Sequence, residues 1–222
     1  MPLYLHENIE PAGELGIWQI QESEQWFLEQ VDLFPEEKEQ LSQIFGRRRV
    51  EWLAVRYLVH LMSGRAHRGA FIKDQYGKPH LTDSPFAISI SHGQDMAAAI
   101  AAPFSVGIDI QYIVPKIERI AYKFMRPVEM DSLSQNERIA HLHVYWGAKE
   151  ALYKAFGRKA LDFCTHILVQ PFALDWEIGK AYARVAKDDF QQDYIIFYRL
   201  LPSGHVLVTG QASDQRENFS DL

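Results

Sequence analysis

The sequence predicts an α/β protein of the α+β kind, made of two similar halves, each a long helix followed by a small, mostly antiparallel sheet. Three observations predict it. The segments "RRRVEWLAVRYLVHLMSG" (47–64) and 141–156, which holds "WGAKEALYKAF", both carry apolar stripes at helical spacing. Each is followed by short runs with the alternation or β-branched content of strands. The order helix-then-strands occurs twice, and the halves meet near residues 105–115 with no linker or low-complexity tract between them.

Taken in order, the chain opens with extended candidates at Leu3–His6 and Leu15–Ile20. Ser23 is placed to cap a short helix through "EQWFLEQV", and Pro35 suits the first turn of a second, "PEEKEQLSQI", with acids favourably placed in that turn. In the long helix from Arg47, Val50, Leu53, Ala54, Tyr57, Leu58 and Leu61 form the apolar band, and Gly64 is a natural stop. "FAISISH" (86–92) alternates Phe86, Ile88 and Ile90 against Ala87, Ser89 and Ser91. "MAAAIAA" and "SVGIDIQ" follow closely, so an antiparallel meander of these three is expected. A helix from Pro115 to Met125, closed by Pro127, precedes the second long helix. "THILVQ", "KAYARVA", "YIIFYRLL" and "HVLVTGQ" make the last strands, and "ASDQRENFSDL" reads as a frayed end.

The 222 residues are 47% hydrophobic and 13% aromatic, enough for packed cores and far from the composition of disorder. A formal charge of −6 argues against nucleic acid as a partner but leaves room for a local basic site. The single Cys164 excludes an intramolecular disulfide framework and a cysteine-rich zinc site. No apolar run approaches the roughly 20 residues of a membrane span, and the N-terminus has no secretory signal, so a soluble cytoplasmic protein is expected.

The chemistry concentrates in two places. In "GIDIQ", the strand period puts Gly107, Asp109 and Gln111 on one face. On the second long helix, Trp146, Lys149, Glu150, Tyr153 and Lys154 share a side opposite the apolar stripe of Val144, Ala148, Ala151, Leu152 and Ala155. Glu150 can join Asp109 around a hard cation such as Mg²⁺, with Lys149 and Lys154 as point charges for phosphate oxygens. A plain i,i+4 surface pair between Glu150 and Lys154 accounts for the same residues with less. His92 ends a strand beside Gly93, where a side chain can face a ligand, and Ser91 adds a hydroxyl. Lys78 lies in a loop stiffened by Gly77 and Pro79. Arg47, Arg48 and Arg49 oppose the dipole at a helix start, a placement that a bound anion would offset. His141 and His143 read as structural, and no Walker, dinucleotide or nucleophile-elbow motif is present.

"SISHG", "GIDIQ" and "WGAKEALYK", in this order and at these separations, resemble the signature segments of the 4′-phosphopantetheinyl transferases, in particular the larger monomeric type related to the surfactin-synthetase activator. "YGKP" and Arg47 fall where that family has coenzyme A contacts. The resemblance is carried by residues 47–157. It implies two pseudo-symmetric halves with an active site in the cleft between them, residues 1–108 on the 3′-phosphate and adenosine side and 109–222 on the metal and carrier side. It also implies transfer of the 4′-phosphopantetheine arm from coenzyme A to a carrier-protein serine with release of 3′,5′-ADP. By position Asp109, Gln111 and Glu150 resemble the Mg²⁺ ligands, and Glu150, Lys154 and Asp109 the catalytic set. Lys154 and Lys149 resemble pyrophosphate lysines, His92, Ser91 and Arg47 the 3′-phosphate site, and Lys78 a residue near the adenosine. Many relatives have Glu where this chain has Gln111, which brings no charge, so weaker metal binding is expected, with substrate phosphates completing the coordination.

The basic helix after Asp109, with Lys116, Arg119, Lys123 and Arg126 on one side and Ile117, Ile120, Ala121 and Phe124 on another, is expected to dock an acidic acyl or peptidyl carrier, Phe124 included. Carriers of fatty-acid, polyketide, peptide-synthetase and lysine pathways are all compatible. Paired halves favour a monomer. A non-catalytic coenzyme A or carrier-binding paralogue and a metal-dependent phosphohydrolase are the competing readings.

Overall fold

In the computed structural model, which describes residues 3–213, the chain begins with a hairpin of β1 (Leu3–Asn8) and β2 (Glu14–Gln19). Three helices follow. Ser23 caps α1 (Glu24–Gln30), its hydroxyl accepting from the Trp26 amide at 3.2 Å. Pro35 opens α2 (Pro35–Ser42), and α3 (Arg48–Ser63) stops at Gly64, whose φ of 59° is the left-handed conformation that glycine adopts without cost. A small hairpin of β3 (Phe71–Lys73) and β4 (Pro79–Leu81) occupies the stretch around Lys78, which the sequence pattern leaves as loop. β5 (Ala87–Gly93) and β6 (Met96–Ala102) complete a four-stranded antiparallel sheet of order β1-β2-β6-β5. α3 packs Leu53, Ala54, Leu58 and Met62 with Trp18, Ile88, Ala97 and Ala99 into the core of this unit.

The chain divides into two compact units, one ending at Pro103 and the other beginning at Phe104. The expected boundary at 108/109 falls inside β7 (Val106–Tyr112), which belongs wholly to the second unit. The expected meander also fails there. Both edges of β6 are taken, by β2 and β5, so β7 pairs instead with β11 (His205–Ser213), Asp109 opposite Val208. β8 (Ile167–Val169), β9 (Lys180–Lys187) and β10 (Phe190–Leu200) extend an antiparallel sheet of order β7-β11-β10-β9-β8. Residues 214–222, most of the segment expected to fray, lie outside the described residues.

Between β7 and the second long helix the chain forms a 3₁₀ helix (Pro115–Lys123) and then α4 (Pro127–Asp131). Pro127 therefore opens a helix instead of closing one, since its missing N–H costs nothing at the first helical position. The 3₁₀ period of three residues aligns Lys116, Arg119 and Tyr122, all exposed. Phe124, expected on the docking surface, is 1% exposed and packs edge-on to Trp146 with ring centroids 5.0 Å apart. α5 (Arg138–Phe156) begins three residues ahead of the expected start and ends at Gly157. It lies directly on β7: a Cβ at Gly107 would sit 1.8 Å from the Ala151 carbonyl oxygen, so only glycine permits the approach.

Each unit buries one glutamate at the third position of a proline-initiated helix. Glu37 accepts from the Arg56 side chain on α3, from Arg68 and from the Phe71 amide. Glu129 accepts from Lys149 Nζ on α5 at 2.7 Å and from the Arg126 and Val169 amides. Both are at most 1% exposed, and each ties a short helix and a strand to a cation of the long helix. Among the described residues no helix is long and apolar enough to cross a membrane.

Candidate functional site

The contact of β7 with α5 assembles most of the expected chemistry. Asp109, 7% exposed, accepts from Lys154 Nζ at 2.8 Å on Oδ1 and from Gln111 Nε2 at 3.0 Å on Oδ2. Lys154 also donates to the Ile108 carbonyl at 2.9 Å, so this lysine leans onto the strand and not along its own helix toward Glu150. The plain i,i+4 surface pair is thereby replaced by a helix–strand ion pair. Glu150 is half-buried. Burial pushes its carboxyl above the usual range, the Asp109 charge adds to that rise, and Lys154 opposes it. Two carboxyl groups that repel each other across one lysine offer a hard cation a place where it would relieve the repulsion. Both groups offer the oxygen donors that a hard cation takes. Among the described residues no group of three or more His, Cys, Asp or Glu side chains is arranged to hold a metal.

Two expected members of this site do different work. Lys149 is fully buried, donating to Glu129 and to the Phe163 carbonyl at 2.9 Å. Burial pulls its pKa down, while the Glu129 charge opposes that fall. Its ammonium is thus engaged in a core ion pair. The expected stripe was too wide: at 3.6 residues per turn, Lys149 and Lys154 stand about 140° apart around the helix. Gln111 spends its carboxamide inside the protein, its oxygen on the His143 ring at 2.6 Å and its nitrogen on Asp109 and the His143 carbonyl. The amide oxygen expected on a metal is therefore already used.

In the N-terminal unit, Arg47 occupies the N-cap position of α3, its side chain 61% exposed. It pairs with Asp95 and reaches Glu51 at 4.0 Å. His92 Nδ1 lies 3.0 Å from Glu51 Oε2, so Arg47 and His92 meet around one carboxylate. Asp95 and Glu51 answer the charge of Arg47, and Glu24 that of Arg49 at 2.8 Å, at the helix start where the sequence suggested an anion. Beside them is a cleft of about 480 Å³ lined by Gln43, Ile44, Phe45, Arg48, Trp52 and His92. Phe45 is 80% exposed there, and the sequence pattern gave no sign of it. Ser91 is buried, on the strand face opposite His92, because consecutive strand residues point to opposite sides; it does not accompany the histidine. Lys78 stands at the end of the β3–β4 turn, half-buried, its amide donating to Asp74 Oδ1 at 3.0 Å. Burial lowers its pKa and the Asp74 charge opposes that.

Paired carboxylates under a lysine, on a strand–helix contact that only glycine allows, are equipment suited to holding a cation and a diphosphate, the setting of phosphoryl-type group transfer. Comparison with known families makes this specific. Residues 36–102 match the 4′-phosphopantetheinyl transferase N-terminal domain, and residues 105–199 match the 4′-phosphopantetheinyl transferase superfamily. The chain belongs to the 4′-phosphopantetheinyl transferase superfamily, and is a transferase of phosphopantetheine in the general sense of that family. No curated protein sequence matches it.

Proposed function

We propose that this protein transfers the 4′-phosphopantetheine arm of coenzyme A to a serine hydroxyl of an acyl or peptidyl carrier protein. The observation that carries the reading is the Asp109–Lys154 pair with Glu150 beside it, in a chain of this superfamily. The serine oxygen bonds to the phosphorus on the pantetheine side of the pyrophosphate, and the bond from that phosphorus to the 3′,5′-ADP oxygen breaks. The serine proton passes to Glu150, the carboxyl that Lys154 does not hold in an ion pair. Lys154 offsets charge on the departing 3′,5′-ADP, turning from Asp109 toward the diphosphate as that charge grows. Mg²⁺ held by Asp109 and Glu150 would supply charge neutralisation for the pyrophosphate.

In the N-terminal unit, Arg47 and His92 take the 3′-phosphate, which competes with Asp95 and Glu51 for them. Lys78, half-buried at the end of the β3–β4 turn, contacts the adenosine end. The carrier docks on the 3₁₀ helix through Lys116, Arg119 and Lys123. What supports this face is its exposure and the removal of its one acid, Glu118, into an ion pair with Arg138 at 3.0 Å. Tyr122, 71% exposed in the row of Lys116 and Arg119, takes the apolar role once expected of Phe124. The reading is of a cytoplasmic monomer. The test is release of 3′,5′-ADP from coenzyme A in the presence of Mg²⁺ and apo-carrier. Release equal to the carrier serine consumed, and none without carrier, is expected. Phosphate release without carrier would mean a hydrolase instead.

A further inference from the structure

Gln111 and His143 form a closed hydrogen-bonded chain that ends on Asp109. His143 Nε2 lies 2.9 Å from the Val114 amide and 3.1 Å from the Val114 carbonyl, and the Gln111 NH₂, facing a carboxylate and a carbonyl, turns its Oε1 to Nδ1, which therefore carries a proton. Nδ1 then donates to Gln111 Oε1 at 2.6 Å, and Gln111 Nε2 donates to Asp109 Oδ2 at 3.0 Å and to the His143 carbonyl at 3.1 Å. The amide has one workable orientation. Turned over, its oxygen would face a carboxylate and a carbonyl, and its NH₂ would face a ring N–H. His143 is 3% exposed, so water cannot substitute for these partners. Gly147 keeps the space open, since a Cβ there would lie 3.0 Å from Gln111 Nε2 and 2.6 Å from Val208 Cγ2.

From this we infer that Gln111 is a positioning residue for Asp109, set by His143, and that the divalent cation joins the protein with coenzyme A and not before it. The first half follows from the saturated amide: its only oxygen is spent on His143, so it contributes orientation to Asp109 and no ligand atom. The second half follows from what remains. Two carboxyl groups, one already hydrogen-bonded on both oxygens, leave a hard cation short of its six or more oxygen ligands, and the diphosphate is the nearest source of others. The inference rests on the metal-dependent transfer proposed above.

Mn²⁺ in place of Mg²⁺ gives a readout independent of turnover, the loss of the free-ion electron paramagnetic resonance signal. The intact wild-type chain alone is expected to leave the signal unchanged. Chain plus coenzyme A should remove it beyond what coenzyme A removes by itself, and Gln111→Glu should bind Mn²⁺ without coenzyme A. With coenzyme A present, His143→Leu should weaken Mn²⁺ binding by roughly 10–100-fold, the usual effect of losing an outer partner of a ligand. His143→Asn, whose side-chain N–H can stand where Nδ1–H stands, should restore most of it, and coenzyme A affinity without metal should be the same in the wild type and both His143 variants. Mn²⁺ binding to the free wild-type chain as tight as to the complex would overturn the inference alone. So would equal losses in His143→Leu and His143→Asn. Failure of Mn²⁺ to bind even with coenzyme A would overturn the metal-dependent reading with it.

Discussion

Replacing Lys149 by Met separates a structural lysine from a substrate-binding one. The side chain is fully buried, so solvent screens nothing, and its removal leaves Glu129 with the Arg126 and Val169 amides but without its direct ion-pair partner. Breaking one partner of such a buried pair costs about 3–5 kcal/mol, whereas losing a surface ion pair costs about 1 kcal/mol or less. At roughly 2–4 °C per kcal/mol for a chain of this length, a 4 kcal/mol loss is about 8–16 °C in Tm. Urea titration followed by tryptophan fluorescence reads the loss, with Trp146 packed near the pair through Phe163. The double variant Lys149→Met/Glu129→Gln should recover part of it, because it no longer strands a buried charge. Coenzyme A affinity, measured by calorimetry well below the variant's Tm, should stay at the wild-type value. A stability loss under about 1 kcal/mol together with a fall in coenzyme A affinity would refute the reasoning and return Lys149 to the phosphates.

Three further outcomes are expected. Gly107→Ala forces a methyl group into the Ala151 backbone, which cannot yield as a side chain would. Its cost should reach or exceed the top of the ~1–3 kcal/mol usual for overpacking, read by urea titration. His141 is fully buried and its pKa is pushed down by that burial from 6.5 to about 4. The unfolded chain therefore takes up the proton first as pH falls. Stability present above pH 6.5 should decline toward pH 4 by about 3 kcal/mol, and a titration-silent His141→Leu should lack that decline; parallel pH curves would contradict it. Reversing Lys116, Arg119 and Lys123 to Glu should raise the carrier KM while leaving coenzyme A affinity unchanged, and unmoved carrier kinetics would eliminate the docking face.

Most of the helical framework is legible in the chain because its stops are chemical: Ser23, Pro35, Gly64 and Gly157 end or begin helices for local reasons. The convergence of Asp109, Glu150 and Lys154 is legible too, since a strand period and a helix period each fix one half of it. What local pattern does not carry is choice of partner. β7 reads as the next strand of a meander, and its transfer to β11 depends on β2 having taken the free edge of β6. The same limit misplaces Lys149, whose charge suggests a ligand, although the repeated Pro-x-Glu of "PEE" and "PVE" ahead of each long helix marks the buried acids that Arg56 and Lys149 serve. Ser91 and His92, adjacent in sequence, stand on opposite faces of the strand, which adjacency alone does not announce. The turn of the Gln111 amide is set by His143, thirty-two residues away, and no spacing announces it.

The most direct test of the account is the intact mass of an apo-carrier after incubation with this protein, coenzyme A and Mg²⁺, run across a panel of carriers. The account predicts that at least one carrier gains a single phosphopantetheine arm, and that Asp109→Ala and Glu150→Ala, still folded, abolish the gain. Carrier masses that never change, or a gain that survives loss of both carboxylates, would contradict it.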